Sequence, residues 1–247
     1  MPRFFVTASQ ITADEHGTVI TVTGDDAAHI TRVLRMKPGE HVTVCDENGT
    51  EYETTVRETG QSVTLDAHSS RMSENEPPYR VTVYQALVKG DRFDTVLQKA
   101  TELGAVQFVP VITSRCTVKL EKSDYRKKTE RWQRIVYEAA KQCGRAVIPT
   151  VREPILLRDA VTEAALCDLP LFCYEAGGTK PLPGLFDEVP SPKTAAVMIG
   201  PEGGFEEEEA ALAKEHGMKL TGLGRRILRT ETAAPFVLSC LSCRYEL

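Results

Sequence analysis

The sequence has no run of about 18 apolar residues that could cross a bilayer as a helix. Its first ten residues, MPRFFVTASQ, lack the apolar core of a secretory signal. These two absences exclude a helical membrane protein and point to the cytoplasm. Disulfide chemistry is also missing. Seven cysteines, Cys45, Cys116, Cys143, Cys167, Cys173, Cys240 and Cys243, are odd in number and scattered, which suits reduced thiols. Cys240 and Cys243 form one CxxC, but a structural zinc site needs about four ligands, and no second pair or histidine cluster accompanies it. They are read as small apolar residues on a helix face, and no metal is expected.

Positive charge is scarce as well. The formal net charge is -5, and residues 1–72 alone carry 6 basic against 11 acidic side chains, leaving 24 of each sign in the rest. A surface for nucleic acid must therefore be a local patch rather than a field over a whole domain. Neither phosphate-binding signature, GxGxxG or GxxxxGK[ST], is present. The near miss Gly222-Leu223-Gly224 lacks the third glycine and a convincing preceding strand. No internal repeat or low-complexity tract is visible.

What remains is an ordinary globular balance, 41% hydrophobic and 26% charged over 247 residues, enough for one large domain or two modest ones. Short alternating runs at 3–7, 18–22, 41–46, 50–57 and 62–67 read as strands, separated by turn signals at Lys37-Pro38-Gly39 and Asn48-Gly49. One helix interrupts them, with Ile30, Val33 and Leu34 expected on one face behind Asp25 and Asp26. This pattern predicts a small β-barrel. The polar segment SSRMSENEPP ends in Pro77-Pro78 and is read as the boundary, giving domains 1–72 and 73–247.

Beyond it strands alternate with helices, which implies a parallel sheet covered on both faces. Strands are expected at 81–87, 106–112, 169–174 and 195–199. One helix presents Phe93, Val96, Leu97, Ala100 and Leu103 and stops at Gly104; a second spans 123–143, with Trp132, Ile135, Val136, Ala139 and Ala140 inward and Gly144 as its stop.

The 195–199 strand runs into Gly200-Pro201-Glu202-Gly203-Gly204 and then a helix at 206–216, an arrangement that places backbone amides at the carboxyl edge of a sheet. Glu202 and the run Glu206 to Glu209 would repel a polyphosphate. A neutral or cationic ligand is favoured, although a tight turn before a well-capped helix reads the same residues equally well. A second unusual stretch, LGRRILRTETAA at 223–234, carries three arginines and a glutamate beside half-buried apolar residues. Thr232 is expected to cap the last helix, with Pro235 early in it. Surface ion pairs are the plain alternative.

IGPEGGF and LGRRILRTETA together resemble the paired cofactor loops of SPOUT methyltransferases, in the version typical of the ribosomal RNA small subunit methyltransferase E family. RFF at 3–5, HITRVLR at 29–35, DRFDTVLQKATELG at 91–104 and RWQRIVYEAAKQCGR at 131–145 match that family in order and spacing, so the resemblance spans nearly the whole chain. Cys143 stands where the family has a small polar residue, a minor departure. The resemblance implies an α/β SPOUT-type parallel sheet with a carboxyl-terminal trefoil knot, preceded by a PUA-like β-barrel that binds RNA. It implies S-adenosyl-L-methionine as cofactor, held by Glu175, Ile199, Gly200, Pro201, Glu202, Gly203, Gly204, Leu223, Gly224, Ile227, Leu228, Arg229 and Thr232. It also implies methylation of uridine N3 in 16S ribosomal RNA within an assembled or assembling subunit, and a homodimer joined through Phe236, Val237, Leu238 and Leu241 of the last helix.

Loss of the N3 proton calls for basic or hydrogen-bonding groups near the base, and Arg145, Arg229 and Glu231 are the candidates, with mutual ion pairing as the plain alternative. Arg3, His29, Arg32, Arg35, Arg92, Lys99 and Arg115 are the candidate RNA contacts; a lone histidine such as His29 is more often structural. A ribose 2′-O-methyltransferase and a non-enzymatic RNA-binding assembly factor remain as competing readings. The intact loops oppose the second.

Overall fold

The computed structural model describes residues 2–15 and 17–247. The chain divides into two units, 1–76 with 140–148 and 77–139 with 149–247.

The first unit is a six-stranded sheet of β1 (Arg3–Phe5), β2 (Ile11–Asp14), β3 (Gly17–Val22), β4 (His41–Cys45), β5 (Thr50–Thr59) and β6 (Val63–Met72), in the order β1-β4-β5-β6-β3-β2. Alternation places Phe4, Ile20, Val22, Val42, Val44, Val56, Val63 and Leu65 in one core. Strand β6 continues through Ser69, Ser70 and Arg71, which pair with Glu53, Tyr52 and Glu51 of β5. That stretch of the polar segment read as a boundary is therefore strand, because ladder hydrogen bonds are made by the backbone whatever the exposed side chains are.

Helix α1 (Gly24–Ala28) widens into a π-turn over His29–Val33. Each residue of a wider turn advances by a smaller angle, so the expected apolar face is broken. Ile30 is fully buried, whereas Val33 is 67% and Leu34 39% exposed.

The buried Arg145 closes this unit. Its guanidinium donates to Glu76 Oε2 at 2.5 Å, and Glu76 Oε1 also accepts the amides of Ala146 and Val147 at 3.0 and 3.2 Å. One carboxylate thus holds the 140–148 segment through three groups.

The second unit is a parallel sheet. Its strands are β7 (Arg80–Ala86), β8 (Ala105–Ile112), β9 (Thr150–Val151), β10 (Ile155–Leu156), β11 (Leu169–Cys173), β12 (Lys180–Pro181), β13 (Thr194–Ile199) and β14 (Lys219–Gly222). The order is β10-β8-β7-β13-β11-β14-β12, with β9 beside β8. The helices are α2 (Arg92–Glu102), α3 (Lys122–Cys143), α4 (Leu157–Ala164), α5 (Leu182–Glu188), α6 (Glu207–Glu215) and α7 (Thr230–Tyr245). The last residues of α3 belong to the first unit.

Helices α4 and α6 bury Leu157, Val161, Ala210 and Ala213 against Tyr84, Phe172, Ala196 and Met198 of the sheet. Strand β11 is buried at every position, as a central parallel strand covered on both faces should be. After β11 the chain forms β12 at the edge beyond β14, crosses to β13 on the other side of β11 and returns to β14 between β11 and β12, so the strand order reverses at β11. Strand β14, which the sequence pattern did not reveal, precedes the Gly222-Leu223-Gly224 turn. It is short, and only Thr221 of its four residues is buried.

The Arg145 pair yields a stability test. Removing one partner of a buried ion pair leaves the other uncompensated, at a cost of about 3–5 kcal/mol. Glu76 keeps some contact with water, so Arg145→Met is expected to fall at the lower end, about 3 kcal/mol, in urea unfolding. A change within error would mean that the carboxylate needs no guanidinium.

Candidate functional site

Strands β13, β11 and β14 are adjacent and parallel, so the segments that follow Ile199, Cys173 and Gly222 leave the same carboxyl edge of the sheet, at the reversal in strand order where open α/β sheets place their ligands. Together with the start of α7 they enclose a cavity of about 520 Å³, within the range of about 300–1,000 Å³ usual for small-molecule sites.

Of the residues expected at a cofactor, Glu175, Ile199, Gly200, Pro201, Glu202, Gly204, Leu223, Gly224, Ile227, Leu228 and Arg229 line this cavity, with the catalytic candidate Glu231 beside them. Gly203 and Thr232 do not. A Cβ built on Gly203 would meet Arg115 Cδ at 3.4 Å rather than the cavity. The other departure concerns the start of α7, which begins at Thr230, two residues before the expected cap. Thr232 is exposed there, and its amide donates to Arg229 O at 2.8 Å. Pro235 consequently lies inside the helix and has no amide hydrogen, so the carbonyl of Glu231 lacks the usual partner four residues on.

Cys173, Tyr174, Thr179, Gly222, Arg225, Arg226 and Thr230 also line the cavity and were not anticipated. Had strand β14 been recognised, the edge position of Gly222 would have pointed to them.

The glycine loop is braced on three sides. At its start, Thr230 Oγ1 donates to Gly200 O at 2.8 Å and accepts from the buried amide Nε2 of Gln85 at 2.9 Å. In its middle, Glu202 Oε1 accepts from Arg92 Nη1 at 2.6 Å and from the Lys89 amide at 3.1 Å. At its end, Arg115 Nη1 donates to Gly203 O at 2.8 Å while Nε and Nη2 grip both carboxylate oxygens of Glu206 at 2.8 and 2.7 Å.

Glu206 caps α6 in a reciprocal box with Glu209. The buried Glu209 also accepts the Ser114 amide at 2.8 Å, tying the loop after β8 to the same helix start. Gly204 has φ +69, and a Cβ there would lie 2.1 Å from Glu175 Oε1. Only glycine admits both that backbone and that carboxylate.

These contacts set the charges of the site. The side-chain bonds from Arg115 hold the Glu206 carboxyl below its ordinary value of 4.5. Burial acts to raise Glu202, but the hydrogen bonds from its own amide, the Lys89 amide and Arg92 outweigh it, and the net shift is downward. Burial pushes the Cys173 thiol up to about 12. It is therefore a neutral thiol near pH 7 and no ready nucleophile.

Several expected RNA contacts are committed elsewhere. Arg3 donates to Glu51 at 2.7 Å and to Cys45 Sγ at 2.9 Å, with only 13% of its side chain exposed. Lys99 pairs with Glu102, and Arg92 and Arg115 brace the loop. Arg32 and the left-handed Arg35 (φ 54) are exposed without a recorded ion pair among the described residues. His29 packs edge-on to Phe4, with ring centroids 5.9 Å apart. Of the catalytic candidates, Arg145 is 3% exposed and held by Glu76, and it is not among the residues that line the cavity. Arg229 and Glu231 approach one another at 4.0 Å on the cavity wall.

A family model described as an RNA methyltransferase domain matches residues 75–242, and one described as an RNA methyltransferase PUA domain matches residues 22–66. The chain is 33% identical over 256 residues to the ribosomal RNA small subunit methyltransferase E of Bacillus subtilis, covering 100% of this chain and 98% of that protein. It is 39% identical over 166 residues to the protein of that name in Aquifex aeolicus, covering 67% and 69%. The crystal structure of that methyltransferase from Neisseria gonorrhoeae bound to S-adenosyl methionine superposes with a TM-score of 0.83 at 29% identity, covering 98% and 97%. A Legionella pneumophila protein solved with the cofactor SAM gives 0.84 at 34%, covering 98% and 97%.

The Arg115 brace has a pH signature. Because Glu206 titrates below its ordinary 4.5 when folded, its pairing contributes stability that is fully present above 4.5 and is lost as the pH falls through the lower folded value. Arg115→Ala is expected to lower the urea midpoint at neutral pH. The gap from wild type should close as the pH drops below 4.5; a gap independent of pH would refute the pairing.

Proposed function

The chain belongs to the ribosomal RNA small subunit methyltransferase E family, and from that premise we propose that it transfers a methyl group from S-adenosyl-L-methionine to N3 of one uridine in 16S ribosomal RNA. The observation that carries this reading is the cavity at the carboxyl edge of β13, β11 and β14, built from the two loops named above.

The cofactor suits these walls. Glu175 and Glu231 complement its cationic groups, Ile199, Leu223, Ile227 and Leu228 supply apolar contact for the adenosine, and the backbone at Gly200, Pro201, Gly204 and Gly224 supplies hydrogen-bonding edges. When bound, it provides a methyl group activated on a positively charged sulfur.

The protein's own part is positional. Its braced loop fixes one reactant so that a base entering from the rim meets the methyl group in line. Uracil N3 must lose its proton to solvent as the new bond forms, and Arg229 on the wall stabilises the resulting negative charge, with Glu231 at 4.0 Å orienting the guanidinium. Cys173 takes no covalent part, since a thiol raised to about 12 is protonated at neutral pH.

The 223–234 segment is read as threaded in a trefoil knot, a reading supported by the position of β14 across β11 from β13. The PUA-matching first unit, through His29, Arg32 and Arg35, is read as an RNA-binding domain. A homodimer through α7 is supported by Phe236, 39% exposed, whereas Val237, Leu238 and Leu241, expected at the same interface, are fully buried within the chain's own core. No helix among the described residues is long and apolar enough to cross a membrane, and with a substrate in the small subunit, whole or assembling, the protein is read as cytoplasmic.

Two measurements test this reading. Gly204→Ala forces a side chain onto Glu175 in a left-handed backbone, and should abolish S-adenosylmethionine binding in calorimetry while leaving the circular dichroism spectrum intact; unchanged affinity would place the cofactor elsewhere. A methyl on N3 blocks Watson–Crick pairing, so reverse transcription of small-subunit RNA should stop at one uridine only in cells that contain the protein. Equal N3-methyluridine in RNA from cells with and without it would sink the assignment.

A further inference from the structure

The cavity has an uneven distribution of charge. Its loop carboxylate Glu202 is already partnered by Arg92, whereas Arg225 and Arg226 on the same cavity wall are exposed and have no carboxylate within ion-pair distance among the described residues. Arg229 is 81% exposed, and among the described residues its one ion pair is the 4.0 Å approach to Glu231. Three guanidinium groups thus fall within five residues of a chain whose net charge is -5. Ile227, 87% exposed, stands among them.

Other arginines of the second unit, including Arg92, Arg115, Arg131 and Arg152, are taken up by carboxylates. Unneutralised charge beside a cavity is what recruits an anion. A planar guanidinium makes paired, charge-assisted hydrogen bonds to phosphate oxygens.

We propose that Arg225 and Arg226, beside Arg229, form a phosphate-binding lip that holds the RNA backbone flanking the target nucleotide. This rests on the reading that the site acts on RNA. The lip divides the labour between the two charges: a cationic ligand inside against carboxylates, a polyanion outside against guanidinium groups. The nucleotide whose base enters the cavity is then gripped next to the reaction, where a displacement of an ångström matters most.

The test uses the full-length protein and a double variant, Arg225→Gln with Arg226→Gln, in equilibrium filter binding to small-subunit ribosomal RNA over a salt series. The lip requires weaker RNA binding, by about tenfold, and a shallower dependence of log K on log salt, by about 0.7–0.9 for each phosphate that is no longer neutralised. Arg225→Lys with Arg226→Lys should recover much of the slope, because charge is kept. S-adenosylmethionine affinity in calorimetry should stay within about twofold of wild type, which also shows that the double variant is folded. An unchanged RNA affinity and slope would overturn the proposal. So would lost S-adenosylmethionine affinity with RNA binding intact, which would assign the arginines to the carboxylate of that small molecule instead. Because filter binding needs no turnover, a protein that binds RNA through the lip but transfers no methyl group would refute the proposed reaction and leave the lip standing.

Discussion

Thr230 sits where three parts of the second unit meet. Its buried hydroxyl gives its one hydrogen to Gly200 O and receives a hydrogen from Gln85 Nε2, whose other hydrogen goes to Ala86 O at 3.1 Å. Both amide hydrogens are thereby used, which fixes the orientation of the Gln85 side chain. The end of β7, the loop after β13 and the first turn of α7 share this chain of donors. In a dry interior each link strengthens the next, and loss of one leaves another unsatisfied. The loop can therefore present a rigid cavity wall although it has no secondary structure of its own.

The remaining bracing follows from where parallel strands end. β8 delivers Ser114 and Arg115 to the start of α6, and β7 delivers Lys89 and Arg92 to Glu202. The acidic run that made a phosphate site implausible in the sequence is thus largely structural. Glu202, Glu206 and Glu209 are consumed as acceptors for backbone and guanidinium donors, leaving Glu175 and Glu231 as cavity carboxylates without a close ion pair among the described residues. A residue's sign says which partner it would welcome, but only geometry says which partner it already has.

That distinction marks the limit of what was legible in the sequence. The core strands β7, β8, β11 and β13 and helices α2, α3 and α6 were readable because their apolar periods report burial directly. The glycine loop was readable for the same reason, since it follows a five-residue apolar strand. The β14 strand was hidden because four residues carry too short a period, and with it the place of Gly222 and Thr179 at the cavity went unnoticed. The π-turn at His29–Val33 was hidden because backbone register leaves no mark in composition, and so Val33 and Leu34 were placed inward. Cations fared worst. Arg3, Arg92, Lys99, Arg115 and Arg145 look alike in a sequence, and each found a carboxylate whose distance along the chain, from three residues to more than a hundred, gave no clue.

The chemistry then depends on which charges are left over. A uracil losing its N3 proton becomes an anion, and a cation already placed beside it stabilises that charge as it develops. Arg115 and Arg92 cannot serve, since moving them would release the glycine loop that they brace. Arg229 remains: it is on the cavity wall, largely exposed, and steered by a carboxylate at 4.0 Å that is too distant to neutralise it. A phosphate held by its neighbours Arg225 and Arg226 would bring the base to that guanidinium and, by excluding water from the rim, strengthen the attraction between them.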